Sequence, residues 1–418
     1  MTLTELFNER SFQPRLPVTI SADGGPVDVA TLDLDTGRYE RVSPLTDGDA
    51  AARALVLLRS GGWPVGLEEL DLVDGFPSGA ISSQLDHEVL TSKSRSAKNT
   101  RPISVVVCTR NRPELLAACL ARIVPLLREG DELIVVDNAP KDGRSAAVVA
   151  DYGTGVRRVV EPWPGLANAR NCGLQSATND FVVFTDDDVS PDAAWLDVIK
   201  ATFASHPGAV CVSGSVLPQS LNPAAQRHFQ EFGGYGGDFR EVELHLSLDP
   251  APSPIFPFHP RLLGTGANMA FRTEALRAIG GFDPALGAGT PACGGEDIDI
   301  AVRILLKGLL LVRQPAAVVW HPSHESNADL VAQIESYGCG LAAAMSKFAT
   351  QRSTAARLLR RVPAGLRALL ATDSVKNDKR SSTYPSQLRW AELRGIVRGP
   401  FAYRASVRRH RLRARRAA

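Results

Sequence analysis

Residues 181–188 read FVVFTDDD, and this stretch predicts the fold of the chain around it. Its first four residues are apolar, which is typical of a strand buried on both faces of a parallel sheet. Three consecutive carboxylates follow directly: Asp186, Asp187 and Asp188. Ligands of an open α/β sheet bind beyond the carboxyl ends of its strands, and carboxylate oxygens suit Mg²⁺ and Mn²⁺. The stretch therefore predicts a divalent metal site that could hold a diphosphate.

An acidic turn at this place has a second interpretation. A helix is expected to begin near Pro191, and Asp192 and its neighbours are residues that suit a helix N-terminus. The motif alone does not decide between a metal site and a solvated helix cap, so the rest of the chain has to be considered.

The composition bounds the class of protein. The chain has 418 residues, 44% hydrophobic and 22% charged, which is ordinary for a soluble globular protein with two or three domains. Its six cysteines show no CxxC pair and no zinc-like spacing, which favours a reducing cytoplasm. The N-terminus lacks the features of a signal peptide, and no apolar run reaches the roughly 18–20 residues that span a bilayer. We expect a cytoplasmic protein, peripheral at most to the inner face of a membrane.

Residues 1–99 predict a small α+β module of unknown role. Alternating apolar residues indicate strands at 18–21 and 27–34, and the spacing of apolar residues over 47–60 predicts a helix that ends at Gly61-Gly62. The polar segment 92–100 reads as a linker to the next domain.

Residues 100–216 alternate between strands and helices. Several strands joined by helices, with polar residues at the strand ends, predict a doubly wound, mostly parallel sheet flanked by helices. The predicted strands are 103–108, 132–136, 156–160, 181–184 and 209–216, and the predicted helices are 114–127, 166–176 and 192–205.

Polar side chains recur at the ends of these strands. Asp137 is placed to hydrogen-bond a ribose hydroxyl, and Arg170 could pair with a base or a phosphate oxygen. Thr109 and Asn111 follow the first strand. Each residue alone is more often structural, and their recurrence at successive strand ends indicates a nucleotide site. A phosphate-binding P-loop is excluded because the chain has no GxxxxGK[ST] motif.

Residues 217–325 are expected to form the acceptor half. Residues 217–262 show little regular pattern and could be a flap or an insertion. Glu296 and Asp297 follow a loop of small residues and begin a predicted helix. An ionised carboxylate there can remove a proton from a hydroxyl, although acidic capping without chemistry remains the alternative. A last strand at 316–320 ends at His321, a possible metal ligand.

In this order and spacing, the motifs resemble the family 2 glycosyltransferases of the GT-A fold. The resemblance covers about residues 101–325 and rests on the segments VVVCTRNR, IVVDNAP, GLANARNCGL, FTDDDV, GTGANMAFR, GGFD, GGEDIDIAVRI and VWHPS. It implies inverting transfer of a sugar from a nucleoside-diphosphate sugar, aided by Mn²⁺ or Mg²⁺. A UDP-sugar is expected from family habit alone.

The resemblance also implies roles for individual residues. Asp188 would bind the metal, and His321 would contact metal or diphosphate. Asp297 of the Glu296-Asp297 pair falls where the family keeps its catalytic base. The expected nucleotide-binding residues are Thr109, Asn111, Asp137, Arg170, Asp186 and Asp187.

Two departures from the family matter. The N-terminal module lies outside the family's core. The C-terminal motif and membrane helices of processive synthases are missing, which favours a non-processive enzyme that adds one or a few sugars.

Residues 326–418 are predicted to form a helical extension with an arginine-rich tail after about residue 387. Apolar residues interleave with the arginines, which suits an anionic membrane surface and a lipid-linked acceptor. A solvated tail, or one docked on the protein's own acidic surface, fits the pattern as well. We expect no nucleic-acid partner, because no recognised module accompanies the charge. The acceptor could be a glycan, a lipid-linked molecule, a natural product or a peptide.

Two rival functions remain open at this point. A nucleotidyltransferase would share the strand-end carboxylates but is expected to have a glycine-rich basic loop where this chain reads Thr109-Arg110-Asn111-Arg112. A non-catalytic nucleotide-sugar-binding protein would not need both Asp188 and Asp297.

Overall fold

The computed structural model describes residues 20, 25–43, 51–78, 101–234, 239–371, 380 and 384–417. Within them the strands are β1 (Val27–Asp33), β2 (Tyr39–Arg41), β3 (Arg53–Ser60), β4 (Trp63–Val73), β5 (Phe76–Ser78), β6 (Ile103–Thr109), β7 (Glu132–Asn138), β8 (Val156–Glu161), β9 (Phe181–Asp186), β10 (Ser190–Pro191), β11 (Ala209–Pro218), β12 (Val242–Leu244), β13 (Asn268–Arg272) and β14 (Leu310–His321). The helices are α1 (Pro113–Ile123), α2 (Arg144–Ala150), α3 (Leu166–Ser176), α4 (Trp195–Ser205), α5 (Ala224–Phe232), α6 (Pro260–Leu263), α7 (Thr273–Ile279), α8 (Glu296–Leu306), α9 (Asn327–Thr350), α10 (Arg352–Leu359), α11 (Val362–Leu370) and α12 (Ser386–Ala417).

The larger sheet has nine strands in the order β10-β14-β11-β13-β9-β6-β7-β8, with β12 paired to β14 outside this order. β6 to β9 run parallel, and so do β11 and β14. β13 is antiparallel to both β9 and β11, so it joins the two groups and leaves them pointing the same way. The mostly parallel sheet that the sequence predicts is therefore confirmed. β13 is a strand that the sequence pattern did not indicate.

Helices cover both faces of this sheet because its central strands are apolar on both. Val105 and Val107 of β6 lie in one core with Leu120 of α1 and Trp195 of α4. Val106, between them in sequence, lies in the opposite core. That second core also contains Leu174 of α3 and Ile300 of α8, together with the contacting rings of Phe184, Phe271 and Phe282. Full burial of each such side chain contributes about 1.5–3 kcal/mol, so the strand ends are held on a rigid scaffold.

The N-terminal module is a second sheet, in the order β2-β1-β3-β4-β5. The helix predicted over residues 47–60 is wrong: residues 53–60 form the central strand β3, and 47–50 lie outside the described residues. Leu55 and Leu57 face one apolar cluster, while Ala54, Val56 and Leu58 face another. A strand that is buried on both faces gives a continuous apolar run. Such a run also contains apolar residues at the spacing of a helix face, so the pattern does not distinguish the two. Of the strand predicted over 18–21, only residue 20 is described.

This second sheet packs on the edge of the larger one. Val27, Leu55 and Leu57 share a core with Leu217 of β11 and Trp320 of β14. Arg59 of β3 also forms an ion pair with Asp192, which precedes α4. The N-terminal module therefore supports the strand that carries His321.

The C-terminal extension is helical, as predicted, and α9 and α12 cross where glycines meet. A Cβ atom on Gly395 would lie 2.1 Å from the carbonyl oxygen of Glu335, and one on Gly338 would lie 2.5 Å from that of Glu392. Gly340 contacts the backbone of Gly294 and Gly295, directly before α8. The extension is therefore packed against the loop that leads into α8. The domain boundaries placed at residues 99, 216 and 325 stay predictions. Among the described helices, none is both long and apolar enough to cross a bilayer.

We expect Gly395→Ala to lower the free energy of unfolding by about 1–3 kcal/mol, because the added methyl group overpacks a backbone contact. Gly365→Ala is the matched control. It also lies inside a helix, α11, but its Cβ atom would meet nothing nearer than Ile255 at 4.0 Å. That substitution should be neutral or stabilising by up to about 1 kcal/mol. Urea unfolding measures both, and equal effects of the two substitutions would contradict close packing between α9 and α12.

Candidate active site

The carboxyl ends of β6, β7, β9 and β14 lie at one edge of the larger sheet. Parallel pairing places Cys108 opposite Asp186, and Thr109 opposite Asp137. Polar side chains that are far apart in sequence therefore lie close together, as the pattern of the sequence predicts.

Asp187 is held by the loop that follows β6. Its side chain is buried and accepts hydrogen bonds from Thr109 Oγ1 at 2.7 Å and from the Arg112 guanidinium at 3.0 Å. Burial raises the pKa of Asp187 to about 6, although both donors act against the rise. Arg112 was not among the residues that the sequence singled out, although it stands in the same TRNR segment. Thr109 and Asp187 thus fix the acidic turn to this loop.

Asp188 lies beside His321. The Oδ1 atom of Asp188 is 3.4 Å from His321 Nε2, and its Oδ2 atom accepts a hydrogen bond from Arg112 at 2.9 Å. Burial acts to raise the pKa of Asp188, but His321 and then Arg112 outweigh it, so this pKa is lowered and the carboxylate is ionised. Among the described residues there is no group of three or more Asp, Glu, His or Cys side chains that could hold a metal ion by themselves.

Arg170 is buried between two carboxylates. Its guanidinium is 2.6 Å from Glu296 Oε1 and 3.3 Å from Asp186 Oδ1, and it lies over the Phe282 ring at 5.6 Å. Only 1% of Arg170 is exposed, so it joins the end of β9 to the start of α8 and does not present its charge to solvent. Burial raises the pKa of Glu296 to about 7, the neighbouring Asp297 charge adds to this, and Arg170 opposes it.

Asp297 is the partly exposed carboxylate of the first turn of α8. Its Oδ2 atom accepts a hydrogen bond from the Gly266 backbone at 3.0 Å, and its Oδ1 atom accepts one from Ile298 N–H at 2.7 Å. Among the described residues it forms no ion pair. Asp299 differs, because it is buried and paired with Arg303 and Lys347 at 2.8 and 2.7 Å. Asp297 is therefore the acidic side chain of α8 that a hydroxyl can approach.

Asp137 and Asn111 have different surroundings. Asp137 is fully buried, and its Oδ2 atom accepts two hydrogen bonds from Arg158 at 2.7 and 3.0 Å, whereas its Oδ1 atom has no hydrogen-bond partner among the residues that the structure describes. Asn111 has a φ of 56° and accepts a hydrogen bond from Lys141 N–H at 2.9 Å.

Sequence reasoning missed Arg158, which pairs with Asp137 from the next strand. The sequence feature that could have identified Arg158 is a basic residue in the strand that follows a strand with an acidic residue at its carboxyl end.

We expect Arg170→Met to lower the free energy of unfolding by about 3–5 kcal/mol, because the buried Glu296 and the partly exposed Asp186 lose their shared cation. A buried carboxyl whose pKa is raised on folding loses stability as pH rises through that pKa, so the loss should be larger at about pH 8 than at about pH 5.5. Urea unfolding at both pH values measures it. A second substitution, Glu296→Gln, should restore part of the loss.

The control for this prediction is Arg128→Met, because Arg128 and Asp197 form an exposed ion pair. It should cost no more than about 1 kcal/mol. A similarly small and pH-independent effect of Arg170→Met would contradict its role as the bridge between β9 and α8.

Comparison with known proteins identifies the family to which the chain is similar. The family model described as "Glycosyl transferase family 2" matches residues 104–279. A pre-mycofactocin glycosyltransferase of Mycobacterium tuberculosis (strain ATCC 25618 / H37Rv) is 32% identical over 262 residues, which are 61% of this chain and 50% of the relative. The succinoglycan biosynthesis protein ExoM of Rhizobium meliloti (strain 1021) is 31% identical over 238 residues, 55% of this chain and 70% of that protein.

Among solved structures, the mannosyltransferase PcManGT from Pyrobaculum calidifontis, in complex with GDP-Man and Mn2+, aligns with a TM-score of 0.47 and 20% identity. The alignment covers 71% of this chain and 86% of that chain. The chain spans about half the length of the mycobacterial relatives named pre-mycofactocin glycosyltransferase. Because it covers 70% of ExoM at 31% identity and the family model matches the centre of its larger sheet, the chain belongs to glycosyl transferase family 2.

Proposed function

We propose that this chain transfers a sugar from a nucleoside-diphosphate sugar to an acceptor hydroxyl, in a single inverting step assisted by a divalent metal. One observation carries the proposal: Arg170 ties the strand end that bears Asp186 to the helix that bears Glu296 and Asp297. An ionised acidic turn and one partly exposed carboxylate are thereby held at the same edge of the sheet. A displacement at a sugar carbon requires both a stabilised leaving group and a base.

We propose that the nucleotide lies over the ends of β6 and β7. The Oδ1 atom of Asp137 supports this, because a buried carboxylate oxygen without a partner is costly until a donor reaches it. A ribose or base N–H or O–H group would supply that donor. Thr109 and Asn111 act here by shaping the loop between β6 and α1. The identity of the base stays a prediction, with uridine diphosphate as the first choice.

Asp188 and His321 are the proposed metal ligands. The Asp188 carboxylate offers an oxygen donor of the type that Mn²⁺ and Mg²⁺ accept. The His321 imidazole nitrogen, 3.4 Å from that oxygen, suits a transition-metal ion such as Mn²⁺ better than Mg²⁺. Two protein ligands suffice for such ions when substrate phosphates supply others. When bound, the metal would supply Lewis-acid stabilisation of the departing diphosphate. Arg112, which contacts Asp188, adds a fixed positive charge at the same place.

Asp297 is the proposed general base. Its carboxylate takes the proton of the acceptor hydroxyl while that oxygen bonds to the anomeric carbon, and the bond from this carbon to the diphosphate oxygen breaks. Two backbone N–H groups hold the carboxylate in place. Glu296 is the proposed positioning residue: it is buried against Arg170 and keeps the first turn of α8 fixed. One displacement requires no enzyme nucleophile.

We expect Asp188→Ala to abolish the Mn²⁺-dependent rise in melting temperature that a nucleoside diphosphate produces in the wild type, because only bound ligands stabilise the fold by mass action. Asp297→Asn should keep that rise. It should slow the Mn²⁺-dependent release of nucleoside diphosphate from the donor, with water as acceptor, by about 10²–10⁴-fold.

Asp180→Asn is the control, because Asp180 is exposed and forms an ion pair with exposed Arg101. This substitution should change neither the nucleotide-dependent rise in melting temperature nor the rate of nucleoside-diphosphate release. Unchanged donor turnover in Asp297→Asn would remove Asp297 as the base. Nucleotide binding without turnover in the wild type, in the presence of water and simple sugar acceptors, would favour a binding protein.

We also propose a peripheral contact between α12 and the inner face of a membrane. Trp390, Val397 and Phe401 are 62%, 68% and 67% exposed and recur at helical spacing. Arg404 and Arg408 follow them on the same helix and are exposed. Exposed apolar side chains next to arginines suit the interface of an anionic bilayer.

We expect the wild type to sediment with phosphatidylcholine vesicles that contain phosphatidylglycerol, and less so as salt is added, because salt screens the arginines. Phe401→Ser should reduce this binding because an apolar anchor is lost. Phe76→Ser, which replaces a phenylalanine of similar exposure in the N-terminal sheet, should not. Equal binding of wild type and Phe401→Ser would contradict a contact through α12.

A further inference from the structure

A small cavity lies where α12 meets the loop before α8 and the start of α3. It measures about 120 Å³. Arg409, His410 and Arg413 of α12 form one wall, and Trp163 and Thr290 lie opposite. The cavity therefore joins the C-terminal extension to the catalytic domain at a place that no step of the proposed mechanism uses.

The cavity is positively charged and its cations are not neutralised. Neither Arg409 nor Arg413 forms an ion pair with a carboxylate among the described residues, and no acidic side chain lines the cavity. The Arg413 guanidinium lies over the Trp163 ring at 5.4 Å. Burial lowers the pKa of Arg413, and the nearby charge of Arg409 lowers it further. Arginine stays protonated in such surroundings, so two like charges are held together with an aromatic floor beneath one of them.

The cavity borders the loop that leads into α8, and this loop approaches the loop that follows β6. Ala288 O, in the loop before α8, accepts a hydrogen bond from Leu166 N–H at 2.9 Å. The next residue, Gly289, lines the cavity, and a Cβ atom there would lie 3.4 Å from the Arg110 guanidinium. The same loop continues into α8 and Asp297. A molecule anchored in the cavity is thus beside the loop that positions the proposed base.

We propose that this cavity binds a phosphate group of the acceptor, and so places the acceptor hydroxyl for transfer. The inference rests on the proposed function, which it extends to the chemical class of the acceptor. Two neighbouring arginines that form no ion pair within the described part of the chain match the geometry and charge of phosphate oxygens. The donor's diphosphate belongs elsewhere, at the acidic turn, where Asp188, His321 and Arg112 lie.

The test measures melting temperature with inorganic phosphate as the probe, in metal-free buffer, against potassium chloride of equal ionic strength. The test variant is Arg409→Gln/Arg413→Gln. The matched control is Arg411→Gln/Arg415→Gln, which removes the same charge at the same spacing on α12, from exposed residues that do not line the cavity. We expect phosphate to raise the melting temperature of wild type and control, and this rise to be lost in the test variant.

A second arm repeats the measurement with a nucleoside diphosphate and Mn²⁺, and a third uses phosphatidylglycerol vesicles. The nucleotide-dependent rise should be the same in all three proteins. Its loss in the test variant would assign the cavity to the donor and overturn the proposal. Phosphate stabilisation that persists in the test variant, or disappears equally in both variants, would overturn it too. Vesicle binding that falls in the test variant while the phosphate rise persists would assign these arginines to lipid headgroups instead.

Failure of the proposed function gives a different result. In that case no nucleoside diphosphate stabilises the wild type with Mn²⁺, yet the phosphate arm still reports whether the cavity holds a phosphate group.

Discussion

The buried guanidinium of Arg170 is the interaction on which the rest of the site depends. Asp186 ends one strand and Glu296 begins a helix more than a hundred residues later, and both are brought within hydrogen-bond reach of the same cation. Carboxylates removed from water repel one another strongly. The shared Arg170 cation, packed on the Phe282 ring, offsets the repulsion between the two carboxylates. The separation of the acidic turn from Asp297 is therefore set by this one buried charge.

The sequence predicted the central sheet because its strands are short, apolar on both faces and followed by turn or acidic residues. That signal was clear for β6, β7 and β9, and helix α3 has the predicted bounds of 166–176. It failed at residues 53–60, where burial on both faces removes the alternation that identifies a strand. It also failed at residues 268–272, since the short antiparallel strand β13 opens with Asn268, whose side chain bonds to the carbonyl oxygens of Ser215 and Ala317. A buried asparagine gives no local signal of a strand.

For the site, the sequence indicated which residues gather but not how each is used. Glu296, Asp297 and Asp299 stand within four positions, yet the structure buries the first against Arg170 and the third against Lys347. Helical geometry turns neighbouring side chains to different faces. Their partners Arg170 and Lys347 belong to α3 and α9, and the local sequence around Glu296 and Asp299 does not indicate them. Arg170 shows the same limit, because a helical arginine usually faces solvent and here it is buried. Burial and partner identity are properties of the assembled fold.

The proposed nucleotide site and the proposed base lie in different parts of the chain. The family model matches residues 104–279, which include the strand ends proposed to hold the nucleotide. Asp297, the loop before it and the cations of α12 all lie beyond that range. Glycine contacts between α9 and α12, and between Gly340 and the loop before α8, hold α12, α9 and this loop together. Arg409 and Arg413 line a cavity beside the loop that leads to Asp297, and Thr109, Asp137 and Asp188 do not line it. In the proposed function, a substitution of these arginines can therefore change the surroundings of that loop while leaving the proposed nucleotide and metal residues as they are.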